Sequence, residues 1–496
     1  MKATCRVSVA LLLLISAGYF VVGRARGQSA PLPPLARTVA MRAAIRSRGQ
    51  LPSGAVDPFN SEVINCLPAP CVLPPTQASE GGALVNTSPI VGNPLNPKQL
   101  LLGSNDWNCP APPTLGFFLS SDGGSNWSRI CMTAVLTRLY VFRPTDEPLV
   151  GYDRSGTAYI AGLYFDNEGA GIGFVGLEKS SDGIHWSAPA VALGIENTFA
   201  DTPWLVVDTN LGSPYLDSIY VSAVMIGPPG VQSENQVVVS HSNDGGTTWD
   251  KVPVAPMQRS PAGDRYTNMT VGKDGTVYLT WMYCDSGPFY LCTNNKGNMV
   301  FSKSSDGGNT WSAPTLMKTI VLGPGLPNSQ VGVSNYPVIG VDNSSGPYAG
   351  NLYVVMYTWT GTYMRVQVIR STDGGNTWSK PVPVAPASDT HDQFFPWLSV
   401  SSTGLVGVSW LDRRNDPANI DYQAFAAIST DGGQSFQPNV QLTTAFSNPN
   451  VNGYPFNEWM GDYTGNTWVG PDFVASWMDS SNGVDMQDVV GGIRLH

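Results

Sequence analysis

The chain has 496 residues, 42% of them hydrophobic and 13% charged, with 53 glycines and 40 prolines; an average soluble domain is roughly 25% charged. From position 57 onward, 19 basic residues face 37 acidic ones, a balance of −18. Such a surface repels phosphate backbones, whose binding needs clustered Lys and Arg, so nucleic acid is excluded as a partner. The glycine and proline content points to many short strands joined by tight turns.

At the start of the chain, Lys2 and Arg6 precede the apolar run 7–22, and Ala25-Arg26-Gly27 places small residues where a signal peptidase reads. Residues 1–27 are therefore expected to be a secretory signal. The apolar run is shorter than the roughly 20 residues a membrane span needs, and no later segment is long and apolar enough to cross a bilayer. This predicts a secreted or periplasmic protein with no stable membrane insertion after cleavage. Residues 28–60, rich in Pro, Ala and Arg, read as a flexible leader. Cys5 would leave with the signal. The other six cysteines are near neighbours in pairs, Cys66 with Cys71, Cys109 with Cys131 and Cys284 with Cys292. Six cysteines allow 15 connectivities, of which local closure is the simplest, giving three disulfides in an oxidising compartment.

Over residues 61–496 one short pattern recurs. It reads "SSDGGSNWS" at 120, "SSDGIHWS" at 180, "SNDGGTTWD" at 242, "SSDGGNTWS" at 304, "STDGGNTWS" at 371 and "STDGGQSFQ" at 429, which sets Asp122, Asp182, Asp244, Asp306, Asp373 and Asp431 at intervals of 58 to 67 residues. A fixed period of this length marks an array of supersecondary units, each unable to bury its apolar face alone. Before each Asp turn lies an apolar or alternating run, such as "TVYLTWMY" (276–283) and "LYVVMYTW" (352–359), preceded by a second short run such as "YPVIGVD" (336–342). Strand, turn, strand, loop, strand, Asp turn, strand is the order of a four-stranded propeller blade. "QLLLGSNDW" (99–107) and "DFVASWMD" (472–479) bracket the array, so second strands count to seven against six Asp turns. The prediction is an all-β, seven-bladed propeller of antiparallel four-stranded blades. Its last blade lacks a fourth strand, which an N-terminal segment such as "NSEVIN" (60–65) must supply to avoid an open edge.

The six turns resemble the Asp-box, or BNR, repeats of the sialidase superfamily, over roughly residues 115–440. Sialidases are six-bladed, so a six-bladed ring is the alternative the resemblance implies. In each turn the Asp carboxylate is expected to accept backbone N–H groups of its own hairpin and the glycines to supply positive φ, which makes the repeats scaffold. The resemblance implies that the face opposite the Asp turns carries the active site. Polar segments gather there: "FRPTDEP" (142–148), "ADTP" (200–203), "DRYTN" (264–268), "HDQFFP" (391–396), "LDRRNDP" (411–417) and "NEWMGDYTG" (457–465).

Guanidinium forks suit a planar carboxylate through paired charge-assisted hydrogen bonds, making Arg143, Arg265, Arg413 and Arg414 candidates for substrate binding. The resemblance implies an exported glycosidase that removes terminal sialic acid or a related acidic sugar. In this family a tyrosine paired with a carboxylate is the nucleophile and an aspartate the acid; carried over, these are Tyr463 with Glu458 or Asp462, and Asp201 or Asp392. Ring geometry predicts that Arg413 or Arg414 approaches Asp462 or Tyr463. Two further readings stay open: a non-catalytic propeller that binds glycans or protein through the same rim, and a polysaccharide lyase with His391 beside Asp392 as base. Four histidines offer no zinc spacing, and no phosphate loop appears, so no metal or cofactor is expected. The expected partner is a glycan, and the expected state a monomer.

Overall fold

The computed structural model describes residues 70–79, 84–109, 115–166, 172–227, 234–286, 292, 294–453 and 459–495. The expected signal and leader, the segment 60–65, Cys66 and Glu458 lie outside the described residues. Those described are strands, turns and loops, arranged as seven separate antiparallel sheets. Among them no helix is long and apolar enough to cross a membrane.

Each sheet is a blade. Blade 1 runs from Val85–Asn86 and Ile90–Asn93 through Asn96–Asp106 and Leu115–Ser120 to Ser128–Cys131. Blade 2 takes Val141–Tyr152, Ala158–Asp166, Gly173–Ser180 and Ala190–Leu193, with Val135–Leu136 beside its first strand. Blade 3 is built from Phe199–Val207, Ile219–Ile226, Glu234–Ser242 and Asp250–Pro253, and blade 4 from Gly263–Val271, Val277–Cys284, Lys296–Ser304 and Thr315–Val321. Blade 5 uses Val338–Val341, Leu352–Trp359, Met364–Ser371 and Val382–Pro383; blade 6 uses Gln393–Val400, Val406–Asp412, Gln423–Ser429 and Val440–Gln441. Blade 7 has Gly465–Val469, Asp472–Asp479 and Gln487–Arg494, and its fourth strand is Cys71–Gln77. The ring thus closes with a strand from the other end of the chain, as expected, but with a different segment from 60–65.

Second strands read as unbroken apolar runs because neighbouring blades cover both of their faces. Every residue of Ile219–Ile226 is buried, and Val406–Asp412 likewise. The outer strands are partly exposed, as in Asp250–Pro253, so their sequences carry no such signature.

The Asp turns are self-contained hydrogen-bond knots. In the fifth blade, Asp373 Oδ1 accepts from Ser371 Oγ at 2.7 Å and from Thr377 N at 2.9 Å, while Oδ2 accepts from Thr377 Oγ1. Asp244, Asp306 and Asp431 repeat this pattern, and Asp122 receives Asn126 in place of the hydroxyl residue. The shorter turn at Asp182 gathers the N–H groups of Ile184 and His185. Gly374 and Gly375 have φ of 69° and 89°, and a Cβ on Gly375 would stand 2.3 Å from the Phe301 ring of the preceding blade. Glycine is required there both for the left-handed backbone and for blade contact. Two disulfides close local loops, Cys109–Cys131 and Cys284–Cys292, and Cys71 is also disulfide-bonded.

Candidate functional site

The loops opposite the Asp turns lead into the first strands, and four of these strands break register at the same level. The shifts fall between Asp146 and Leu149 in blade 2, Asp201 and Trp204 in blade 3, Arg265 and Asn268 in blade 4, and Phe394 and Trp397 in blade 6. Each contains one non-glycine residue with positive φ: Glu147 at 58°, Thr202 at 47°, Tyr266 at 55° and Phe395 at 47°. Such conformations cost about 1–3 kcal/mol each and persist only where the surroundings impose them. A bulge re-aims its side chains, and repetition around the ring turns several of them toward the axis.

Aromatic rings meet there. Trp204 and Trp397 have centroids 4.9 Å apart, Tyr463 lies 5.5 Å from Trp397 and 5.8 Å from Trp204, and Tyr336 stands 5.2 Å from Tyr463 and 4.8 Å from Tyr266. These rings, from blades 3 to 7, plug one end of the central channel. Beyond them a cavity of about 330 Å³ is lined by the remainder of the first strands.

Polar groups ring the plug. Asp201, Arg265 and Asp462 all act on the half-buried Tyr266: burial raises its phenol, Arg265 opposes this, and Asp462 and Asp201 add to the rise. Ser334 approaches the same phenol and donates to Asp462 Oδ1 at 3.3 Å. The Tyr336 phenol is driven well above its ordinary value by burial and then by Glu147 and Asp462. Asp462 is oriented by its own N–H, which donates to Thr87 Oγ1 at 3.0 Å, and Glu147 N donates to Asn105 Oδ1 at 3.1 Å.

Three of the expected residues, Asp201, Arg265 and Asp462, therefore converge. Tyr463 sits among them but is 1% exposed, and its hydroxyl donates to the Pro148 carbonyl at 2.7 Å. The phenol on which Arg265, Asp462 and Asp201 act electrostatically is instead Tyr266, inside the "DRYTN" segment but not singled out by the sequence. Its signal was the dipeptide itself, a tyrosine directly after the arginine at the start of a first strand.

The remaining candidates belong to blade 6 and blade 2. Arg413, fully buried, lies 3.5 Å from Asp392 and donates to the carbonyls of Pro327 and Asn419 at 2.6 and 2.9 Å. Arg414 pairs with Asp412 and Asp389 and stacks 4.4 Å from the Phe425 ring. Asp392 accepts from Met364 N and Asn419 Nδ2. The expected approach of Arg413 or Arg414 to Asp462 or Tyr463 is thus replaced by contacts within blade 6, where Asp389, Asp392 and Asp412 stand closer. His391 contacts Asp389 at 3.3 Å. Arg143 lies upstream of the bulge in blade 2, opposite Phe165. Among the described residues no three His, Cys, Asp or Glu side chains are grouped to hold a metal ion.

No protein-family model matches the sequence. A sialidase of Micromonospora viridifaciens is 28% identical over 227 residues, covering 42% of this chain and 33% of that protein. The chain is a seven-bladed β-propeller that is similar over part of its length to that sialidase. It spans about a third of that relative's length. Among solved structures, a Hadza microbial sialidase overlays with a TM-score of 0.43 at 14% identity, over 79% of this chain and 74% of that one. An ulvan lyase of polysaccharide lyase family PL25 gives a TM-score of 0.47 at 13% identity, over 82% of this chain and 94% of that one.

Proposed function

We propose that the protein is an extracytoplasmic glycosidase of sialidase type, which removes a terminal sialic acid or related acidic sugar from a glycan. The reading is supported by the bulged first strands, which place Asp201, Arg265 and Asp462 where their charges act on the Tyr266 phenol on the face away from the Asp turns. A phenol near 10 is a weak nucleophile at neutral pH unless a base takes its proton, and sialidases are the glycosidases that use tyrosine in place of a second carboxylate. In this reading the Tyr266 oxygen attacks the anomeric carbon as its proton passes to Asp462. Asp201 protonates the departing glycosidic oxygen, and Arg265 holds the sugar carboxylate. The disulfides support an oxidising compartment.

A second reading is favoured by the distribution of arginines. Arg413 and Arg414 are committed to blade 6, and Arg265 is 8% exposed, an arrangement that fits a non-catalytic glycan-binding propeller. Turnover of a fluorogenic sialoside, with a panel of uronic-acid glycans beside it, separates the two. Tyr266→Phe is expected to remove nearly all turnover with the fold retained, whereas Tyr463→Phe should lower stability and spare the rate per folded molecule. Full activity in Tyr266→Phe rules out this nucleophile. Inactivity of the wild type on every substrate, with glycan binding retained, favours the second reading.

A further inference from the structure

Away from the central face, a cavity of about 370 Å³ opens on the flank of the ring where blade 3 meets blade 4. Its walls are largely apolar: Pro256 from the connection between the blades, Trp281 and Tyr283 from the second strand of blade 4, and Leu316 from the fourth. Leu316 is 61% exposed at the rim. Among the described residues, no lysine, arginine or histidine lines it.

Into this cavity projects Asp264. Neighbouring residues of a strand point to opposite faces, so Asp264 turns away from the central site that Arg265 enters; the two pair in regular register with Tyr283 and Met282. The Asp264 side chain is held at one oxygen: Oδ1 accepts from Trp281 Nε1 at 2.9 Å, and the Asp264 N–H donates to Asn235 Oδ1 at 2.9 Å. Its other oxygen, Oδ2, is buried and meets no donor among the described residues. Burial pushes the carboxyl up to about 7, with the Trp281 bond opposing the rise. An unpaired, desolvated carboxylate is costly to keep in an apolar wall, and an incoming cation relieves that cost.

We propose that this flank cavity binds a primary ammonium carried on an unbranched aliphatic stem, with the nitrogen at Asp264 Oδ2 and the stem along Pro256, Tyr283 and Leu316. An ammonium is compact and presents three donors, which suits a single unpaired oxygen in a largely apolar cavity, and the Tyr283 ring adds a face for the cation. A lysine side chain and a free alkylamine share this chemistry. The site is independent of any chemistry at Tyr266.

Calorimetric titration of the full chain with hexylamine hydrochloride at pH 8 tests the assignment, with 1-hexanol as the neutral counterpart. Hexylammonium is expected to bind with one-to-one stoichiometry and at least about tenfold more tightly than hexanol, a difference of about 1.4 kcal/mol. Asp264→Asn keeps an acceptor for Trp281 and should reduce the two to equal affinity. Titration with Nα-acetyl-lysine amide then distinguishes the sources: binding as tight as that of hexylamine assigns a lysine side chain, and weaker binding a free amine. Equal affinities for hexylammonium and hexanol in the wild type overturn the proposal, as does absence of saturable hexylamine binding. Unchanged ammonium affinity in folded Asp264→Asn does so too.

Discussion

Asp488 lies in the third strand of blade 7, fully buried, with Ser104 and Asp106 of blade 1 as its polar neighbours. Burial first, and the charge of Asp106 in addition, raise its carboxyl from 3.8 to about 8. In the unfolded chain it ionises near pH 4, so between about pH 4 and 8 the folded state holds a proton that the unfolded state has released. Stability therefore falls as pH rises through that window and levels off above it. At about 1.4 kcal/mol for each tenfold change in proton affinity, the ceiling is about 6 kcal/mol, and relaxation around the charge lowers it to a few kcal/mol. Asp488→Asn keeps the side-chain volume and removes the ionisation. Urea denaturation at pH 5, 7 and 9 should give the variant a stability within about 1 kcal/mol of wild type at pH 5 and an advantage of roughly 2 kcal/mol or more at pH 9. Comparing the two proteins at each pH cancels distant titrations. An advantage equal at pH 5 and 9, or a variant less stable than wild type at pH 9, would refute the placement of a neutral carboxyl at this interface.

Asp373→Ala, by removing the acceptor of three hydrogen bonds in an Asp turn, should lower the melting temperature at neutral pH without changing activity per folded molecule. Because the Asp373 carboxyl is held down to about 2 by Thr377 and Ser371, its stabilisation is present above about pH 4 and disappears as pH falls toward 2; the melting difference should vanish with it. Arg413→Ala strips the cation from buried Asp392 and is expected to cost about 3–5 kcal/mol in urea denaturation. If stability is instead unchanged while KM for an acidic glycan rises tenfold, Arg413 binds substrate.

The ring was legible in the sequence because second strands, covered on both faces, must be largely apolar; "LYVVMYTW" and "DFVASWMD" need no context to be read. The closing strand was not. Cys71–Gln77 contains Pro74 and Pro75, which argue against a strand in a sheet interior but are tolerated at an outer edge, where one side of the backbone has no partner. The third strand offers its pairing register across a break between Leu73 and Thr76, which accommodates both prolines. Placement of the site was half legible. Asp201, Arg265 and Asp462 follow from the blade period, but the left-handed residues that turn the first strands toward the axis are imposed by packing. The visible trace was proline after three of the bulged positions, in Glu147-Pro148, Thr202-Pro203 and Phe395-Pro396. Arg413 and Arg414 misled because their forks serve nearby carboxylates as well as they would a ligand.

Closure of the ring by Cys71–Gln77 also sets an order of events during synthesis. Cys71 pairs with Arg494 and Gln77 with Val489, so the earliest strand of the ring to leave the ribosome finds its hydrogen-bonding neighbour only after more than 400 further residues have been made. Blades 1 to 6 each contain all their strands within one contiguous stretch of chain and can form as they emerge. Blade 7 cannot. Until the C-terminal strands arrive, the nascent chain carries an unsatisfied β-edge at each extremity, both open to pairing with another copy. A chaperone that masks strand edges would therefore improve yield most in the interval before the last strand is released.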